Sequence, residues 1–215
     1  MYTVFLAGSI ASGKSTVAAE LERLGAWRVD LDQISREVLE PGTPTTYAVA
    51  EAFGQDLLDP ETGELNRRLL AARAFATRED AQRLEELELP AIRARLGEVL
   101  TSSVCGAWEP ACCVVEIPLL DRMVDSFDLA DEIVVVNLPV AVRRERAIGR
   151  GMTAEDFDAR AANQPTDEWL LSHADTVISN EGSLDDLLAQ VQAWWDAHER
   201  AGWRCRRDGG VAHGA

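Results

Sequence analysis

The residues with the clearest chemical signature lie near the N-terminus, in the pattern Gly8-x-x-x-x-Gly13-Lys14-Ser15. This spacing is that of a P-loop, whose backbone N–H groups surround the β-phosphate of a nucleotide at the start of a helix. Lys14, the one lysine among 21 basic residues, is expected to reach the β- and γ-phosphates, and Ser15 to coordinate Mg²⁺. The pattern predicts binding of ATP with Mg²⁺; the alternative is a glycine-rich turn with an accidental lysine.

Having no second lysine narrows the class of nucleotide-binding protein. GTP-binding switches recognise guanine through Asn-Lys-x-Asp, which this chain cannot contain. A mechanical ATPase presents four apolar residues followed by Asp-Glu, and the segment around Val114-Val115-Glu116 matches that pattern poorly. A small-molecule kinase remains, and it needs a carboxylate near the acceptor hydroxyl and an arginine-bearing lid over the phosphates.

Asp32 is the candidate for the acceptor-side carboxylate. It follows the predicted strand Trp27–Val29 at the sheet edge where the P-loop is also expected. There it would accept the proton of the acceptor hydroxyl or orient that hydroxyl. The alternative is an N-cap for a helix that starts at Gln33. Asp30, which has the same ambiguity, and Glu116, at the end of a later strand, are candidates for holding Mg²⁺ through water.

Arginines concentrated in the second half of the chain form the candidate lid. They are Arg143, Arg144, Arg146 and Arg150, with Arg160 on the next predicted helix. Arg146 and Arg150 are four residues apart and share one helix face. Guanidinium groups contact phosphate oxygens in one plane and stabilise developing charge. The alternative is a solvated helix face that pairs with neighbouring carboxylates.

A loop after the last predicted strand completes the expected nucleotide site. Asn180-Glu181-Gly182 either touches the adenine or forms a plain turn before a capped helix. With it, the predicted ATP-binding residues are Gly8, Ser9, Ile10, Ala11, Ser12, Gly13, Lys14, Ser15, Thr16, Asn180 and Gly182.

Alternating strands and helices must position these residues. Apolar runs predict strands at 2–7, 27–29, 112–117, 132–136 and 175–178. Near-continuous apolar strands are typical of a parallel sheet that is covered on both faces. With a glycine loop after the first strand, this order predicts an α/β fold: a P-loop kinase-type, doubly wound parallel sheet with a helical insertion domain and a helical lid.

The segment between the second and third predicted strands has a helical residue pattern over most of its length. Its long run from Arg78 to Leu100 is interrupted by Pro90, which predicts a kink or two helices. The predicted division of the chain is a nucleotide-binding core at 1–39, 105–139 and 165–199, a helical domain at 40–104, a lid at 140–164 and a flexible tail at 200–215.

Charge and hydropathy exclude several classes of partner. The net charge is -16, which argues against nucleic acid or an anionic membrane as the main partner. No apolar run reaches the roughly 18 residues that span a bilayer. The first residues lack the basic start and cleavage site of a signal peptide, so a soluble, cytoplasmic protein is expected.

Several motifs in fixed order resemble those of the dephospho-CoA kinase family, over nearly the whole chain from Val4 to about Gln192. Besides the P-loop they are Val29-Asp30-Leu31-Asp32 with Arg36, Glu40-Pro41-Gly42, Glu64-Leu65-Asn66-Arg67, Glu116-Ile117-Pro118-Leu119-Leu120, Arg146 to Arg150, Arg160 to Gln164, and Val177 to Gly182. The resemblance implies transfer of the γ-phosphoryl group of ATP to the 3′-hydroxyl of dephospho-CoA, which gives CoA and ADP.

The resemblance also implies roles for individual residues. Asp32, Arg36 and Arg67 would bind the acceptor, with the helical domain at 40–104 as the acceptor domain. Arg146 and Arg150 would be the lid arginines, and together with Lys14 and Asp32 they form the predicted catalytic set.

Three positions depart from the family pattern. Ser9 stands where the family usually has Gly, Leu89 where it usually has His, and Arg122 where it usually has Glu. The change at Ser9 is small, whereas the other two put details of acceptor binding in question. Another small-molecule or nucleotide kinase on the same scaffold, and a non-catalytic nucleotide-binding module, are the competing hypotheses. An acceptor panel separates them.

Overall fold

The computed structural model describes residues 1–101 and 110–203. Within these ranges the elements are β1 (Tyr2–Ala7), α1 (Lys14–Leu24), β2 (Trp27–Asp30), α2 (Leu31–Val38), α3 (Pro44–Phe53), α4 (Arg67–Ala74), α5 (Arg78–Thr101), β3 (Cys112–Glu116), β4 (Glu132–Asn137), α6 (Val140–Gly149), α7 (Ala154–Ala162), α8 (Asp167–Ser172), β5 (Thr176–Ser179) and α9 (Leu184–Ala201), with 3₁₀ segments at Gln55–Leu57 and Leu120–Leu129. They form two compact units, one of 1–30 with 110–203 and one of 31–101.

The strands of the first unit form one parallel sheet in the order β2-β3-β1-β4-β5. Their carboxyl ends therefore meet at one edge, where open α/β sheets bind ligands. The side chains of β1 and β3 are buried throughout, because both faces of the sheet are covered. This burial explains the near-continuous apolar strands, and the arrangement confirms the predicted α/β doubly wound sheet.

One face of the sheet packs against α1 and α9. Val17 of α1 and Val191 and Trp194 of α9 are buried in one cluster with Leu6 of β1. α9 starts at Ser183, whose hydroxyl accepts the Asp186 N–H and whose own N–H donates to the Asp186 carboxylate. This capping box fixes where the helix begins and so where its apolar side meets the sheet.

The second unit is built from α2 to α5. α5 presents Leu84, Ile92, Leu96 and Leu100 on one side, all buried. α2 packs against α5, so residues 31–39 belong to this unit and not to the nucleotide-binding core in which the sequence analysis places them.

Pro90 does not divide the long helix, and the expectation of two separate helices is wrong. α5 runs without interruption from Arg78 to Thr101 with Pro90 inside it. Proline removes one helical hydrogen bond, while Leu84 and Ile92, buried on either side of it, anchor both halves in the same core. Packing therefore outweighs the lost bond.

Two further elements differ from the expectation. α8 is short, and its start at Thr166, whose hydroxyl accepts the Trp169 N–H at 3.1 Å, was not recognised in the sequence. Residues 200–203 of the predicted tail are held by the fold, because α9 extends to Ala201 and Trp203 packs against Tyr2. Residues 204–215 of that tail, and 105–109 of the predicted core, lie outside the described residues. Among the described helices, none is long and apolar enough to cross a membrane.

Replacing Ser183 by alanine tests the cap of α9. Ser183→Ala removes the acceptor of the Asp186 N–H and is expected to destabilise the protein by about 1 kcal/mol. In thermal unfolding this corresponds to a melting temperature lower by about 2–4 °C. Glu181→Gln, a change on the exposed turn just before the cap, is the control and should leave the melting temperature unchanged. Equal decreases in both variants would contradict the capping role.

Candidate active site

The candidate site begins where β1 leads into the glycine loop at the carboxyl edge of the sheet. A Cβ on Gly8 would lie 2.8 Å from the carbonyl oxygen of Val136 in β4. Gly13 has a left-handed φ of 101°, and a Cβ there would collide with the side-chain amide of Asn180. Ala11 also has a positive φ, 60°, which costs a non-glycine residue roughly 1–2 kcal/mol. The loop is therefore held in a shape that requires its glycines.

Several backbone N–H groups of this loop have no hydrogen-bond acceptor in the described part of the protein. Within the described ranges, the N–H groups of Ala11, Gly13 and Ser15 donate to no protein acceptor, whereas the Ser12 N–H closes a turn on the Ser9 carbonyl at 3.0 Å. Such N–H groups at the start of a helix bind anions, because they and the helix dipole carry positive partial charge. The loop therefore has the donors that a nucleotide phosphate requires, next to the exposed Ser15.

Asn180 supports the loop from the end of β5. Its side chain is buried, and Nδ2 donates to the Ser12 carbonyl at 2.7 Å. Its backbone N–H donates to the Asn137 carbonyl at 2.9 Å, which extends the pairing of β4 with β5. The side-chain amide thus holds the P-loop backbone, a role that the sequence did not reveal. The adenine contact by Asn180 and Gly182 stays a prediction.

Two of the candidate lid arginines lie close to this loop. Arg146 is half-buried and donates from Nη2 to the Asn180 carbonyl at 3.1 Å. Arg143 is buried, with Nη2 2.7 Å from both carboxylate oxygens of Asp167 and Nε 2.8 Å from the Leu138 carbonyl. Arg143 is thus committed to contacts inside the protein, and Arg146 lies beside the phosphate-binding loop.

The other three candidates lie on the surface. Arg144 forms a two-point ion pair with Asp158, at 2.9 and 3.0 Å, and so fits the alternative of a solvated face. Arg150 and Arg160 are exposed and form no ion pair with any described residue. A phosphate contact by Arg150 stays a prediction.

Two carboxylates meet at the ends of β2 and β3. Asp30 and Glu116 are paired in the parallel register. Glu116 is buried and accepts from Arg28 Nε at 2.6 Å. Within the described ranges, no three His, Cys, Asp or Glu side chains are grouped to hold a metal ion. Mg²⁺ at this edge would therefore take most of its ligands from nucleotide phosphates and water, which is its usual mode of binding.

The predicted acceptor residues lie in the second unit. Asp32 is exposed in the first turn of α2, which begins at Leu31, so the alternative of an N-cap for a helix from Gln33 is wrong. Arg36 and Arg67 are both exposed, and Arg67 Nη2 donates to the Arg36 carbonyl at 3.1 Å. The structure thus brings the two predicted acceptor arginines together.

Glu88 is a titratable residue of this unit that the sequence analysis missed. Burial raises the pKa of Glu88 to about 7; Arg67 opposes that rise, and Glu85 adds to it. The signal was present in the sequence: Glu88 interrupts the stripe of Leu84 and Ile92 on α5, at the spacing where another apolar residue is expected.

Comparison with known proteins decides the family. A family model described as dephospho-CoA kinase matches residues 2–186. A dephospho-CoA kinase of Corynebacterium jeikeium (strain K411) is 40% identical over 197 residues, which cover 91% of this chain and 98% of that protein. The chain belongs to the dephospho-CoA kinase family.

Solved structures agree on the fold. The crystal structure of TT1252 from Thermus thermophilus is 29% identical, covers 91% of this chain and 97% of its own, and superposes with a TM-score of 0.72. A dephospho-CoA kinase from Campylobacter jejuni is 24% identical, with coverage of 93% and 98% and a TM-score of 0.67. The fold of this chain is thus that of a P-loop kinase.

Two of the three residues that depart from the family pattern make contacts that the structure shows. Ser9 is buried and its hydroxyl donates to Asp167 at 3.0 Å. Arg122 lies in the 3₁₀ segment after β3, with Nε 3.4 Å from the carboxylate of its neighbour Asp121. Nothing in the structure explains the leucine at position 89.

Asn180→Ala tests whether this amide holds the phosphate-binding loop of the kinase. The variant leaves the Ser12 carbonyl without its donor, which costs about 1–3 kcal/mol when the group stays buried. We expect the dissociation constant for ADP to increase about tenfold, measured by isothermal titration calorimetry.

A matched control is available on α9. Gln192 Nε2 donates to Asp196 Oδ1 at 2.7 Å, so Gln192→Ala removes an amide hydrogen bond that involves neither the P-loop nor the residues that contact it. ADP binding should be unchanged in this variant. A wild-type dissociation constant in Asn180→Ala would contradict the proposed support.

Glu88 predicts a pH dependence of stability. The folded protein binds a proton at Glu88 up to about pH 7, whereas the unfolded chain releases it near 4.5. The contribution of Glu88 to the free energy of unfolding is therefore full below the lower value and is lost as the pH rises through the higher one. Glu88→Gln should reduce the fall in melting temperature between about pH 5 and 8. Glu86→Gln, on the exposed side of the same helix, should keep the wild-type fall.

Proposed function

We propose that the chain carries out its family's reaction with Lys14, Asp32, Arg146 and Arg150 as the catalytic set. It is an ATP-dependent kinase that transfers the γ-phosphoryl group to the 3′-hydroxyl of dephospho-CoA and releases CoA and ADP. The observation that carries the proposal is the loop at the start of α1, in which the N–H groups of Ala11, Gly13 and Ser15 have no acceptor among the described residues. Those donors, on a chain of this family, suit the phosphates of ATP.

On the nucleotide side, most of the catalysis is positioning and charge stabilisation, because the transition state of phosphoryl transfer is loose. Lys14 would hold the β- and γ-phosphates. The Arg146 guanidinium, next to the Asn180 carbonyl, would stabilise charge that develops on the transferred group. Arg150, one helical turn further along the same chain segment, would join it from the proposed lid at 140–164.

Mg²⁺ fits the donors at the same edge. Ser15 would coordinate it, and Glu116 or Asp30 would hold its water shell. When bound, the ion neutralises charge on the β- and γ-phosphate oxygens. Because the glycines of the loop carry no Cβ, a phosphate with its ion can approach the loop backbone closely.

On the acceptor side, the residues of the second unit would bind dephospho-CoA. Arg67 donates to the Arg36 backbone carbonyl, and both side chains are exposed, so their guanidinium groups are available to an acceptor that itself carries phosphate groups. Asp32 would orient the acceptor hydroxyl and accept its proton. The expected cytoplasmic location stays a prediction.

The test measures ADP and CoA in parallel, with ATP, Mg²⁺ and dephospho-CoA supplied to the purified protein. Lys14→Ala removes the phosphate contact and Asp32→Asn removes the proton acceptor, and each is expected to lower kcat by about 10²-fold or more. Both variants should keep the wild-type circular dichroism spectrum, since both side chains lie at the surface or only half-buried.

Asp185→Asn is the matched control for Asp32→Asn, because Asp185 is also an exposed aspartate in the first turn of a helix, α9. Its turnover should be that of the wild type. Wild-type turnover in Asp32→Asn would remove Asp32 from the mechanism. ADP formed without CoA would mean a different acceptor, and the residues of the second unit would then decide which one.

A further inference from the structure

A chain of partly buried polar contacts connects the P-loop to the first turn of α8. The Ser9 hydroxyl donates to Asp167 Oδ1 at 3.0 Å. Asp167 in turn receives Arg143 Nη2 on both oxygens at 2.7 Å. Arg143 is itself fixed by its Nε on the Leu138 carbonyl at 2.8 Å. The three side chains thus connect the loop after β1 with the first turns of α6 and α8.

Burial distinguishes this chain of contacts from an ordinary surface ion pair. The Arg143 side chain is 5% exposed, whereas that of Arg144, which makes a similar pair with Asp158, is 42% exposed. A buried guanidinium is costly unless its charge and its N–H groups are satisfied. Exposed pairs contribute little. Asp167, whose side chain is 36% exposed, is therefore held by the buried Arg143 guanidinium on both carboxylate oxygens, and Ser9 donates to one of them.

A second contact holds the neighbouring loop residue from the same segment. The Ile10 N–H donates to Gln164 Oε1 at 2.7 Å. The cleft beside these contacts is lined by Pro118, Pro165 and Leu170 and has no volume for a water molecule. Two consecutive loop residues are thus held by Asp167 and Gln164, which are three positions apart in the chain.

We propose that Asp167 is a positioning residue for ATP binding, acting through Ser9. The proposal rests on the proposed function in that the same loop binds the phosphates of ATP. Ser9 lies two residues before Ala11, the first of the three loop residues whose N–H has no acceptor among the described residues, so a shift at Ser9 displaces those donors. Misplacement of binding groups by about 1 Å lowers rates by up to roughly 10²-fold.

The same contacts align α6 with the loop. Arg143 and Arg146 lie one turn apart on α6. Arg143 pairs with Asp167, and Arg146 donates to the Asn180 carbonyl. Asp167 thus sets the position of the loop and of the candidate phosphate-binding arginine relative to each other. No residue of the acceptor side takes part, so the effect of its removal should be confined to the nucleotide.

Ser9→Ala is the sharpest test, because it removes the hydroxyl and leaves the Arg143–Asp167 pair in place. We expect the KM for ATP and the dissociation constant for ADP to rise about fivefold. The KM for dephospho-CoA and the melting temperature should stay at wild-type values. Asp167→Ala should weaken ADP binding further and also lower the melting temperature, because Arg143 then lacks its partner.

Asp158→Ala is the matched control, since it removes the partner of the exposed Arg144 and should change neither constant. In the double variant Ser9→Ala/Asp167→Ala, ADP binding should equal that of Asp167→Ala alone, because the hydroxyl acts through Asp167. Wild-type ADP binding in Ser9→Ala overturns the proposal. So does an equal rise in the KM of both substrates with a lower melting temperature, which would indicate a merely structural role.

The proposed function and the positioning role of Asp167 are tested by different measurements. ADP binding is measured by calorimetry without any acceptor, so it tests Ser9 and Asp167 even if dephospho-CoA is not phosphorylated. Failure of the wild-type protein to form CoA would contradict the proposed function alone. Failure of Ser9→Ala to weaken ADP binding would contradict the positioning role alone.

Discussion

The close approach of the glycine loop to the ends of β4 and β5 is the constraint on which the nucleotide site depends. Gly8 lies against the Val136 carbonyl, and Asn180 fills the space beside Gly13 while it holds the Ser12 carbonyl. These contacts fix the loop backbone, and the N–H groups of Ala11, Gly13 and Ser15 have no acceptor among the described residues. The position of the loop's N–H donors at the start of α1 is therefore a consequence of packing behind the loop as much as of the loop pattern itself.

Burial assigns different tasks to arginines that are equivalent in the sequence. Arg143 is enclosed and serves the internal connection to Asp167, Arg144 pairs with Asp158 in solvent, and Arg146 lies at the Asn180 carbonyl beside the loop. In a chain of net charge -16, carboxylates are abundant, and an arginine remains available for phosphate only where the fold keeps acidic side chains away from it. Proximity to the P-loop is thus more informative than arginine density.

Local signals predicted the parts of the molecule that depend on near neighbours in sequence. The strand Tyr2–Ala7 and the capped helix after Gly182 follow from an apolar run and from side-chain capping. The alternative of two separate helices at Pro90 was wrong, because a stripe of buried apolar side chains, among them Leu84 and Ile92, lies on both sides of it along α5. Glu88 was missed although it interrupts that stripe, because an isolated carboxylate gains its raised pKa only from what packs around it.

The sequence by itself determined the P-loop chemistry, the α/β class and the family, because these depend on residue types at short, fixed spacing. Only the tertiary structure decided that Ser9 meets Asp167 and that Asn180 holds Ser12, contacts that span 158 and 168 positions. Those pairs exist because the order β2-β3-β1-β4-β5 places β4 next to β1 and β5 next to β4. Periodicity and turn preferences act over a few residues, whereas strand order is set by the packing of the whole sheet.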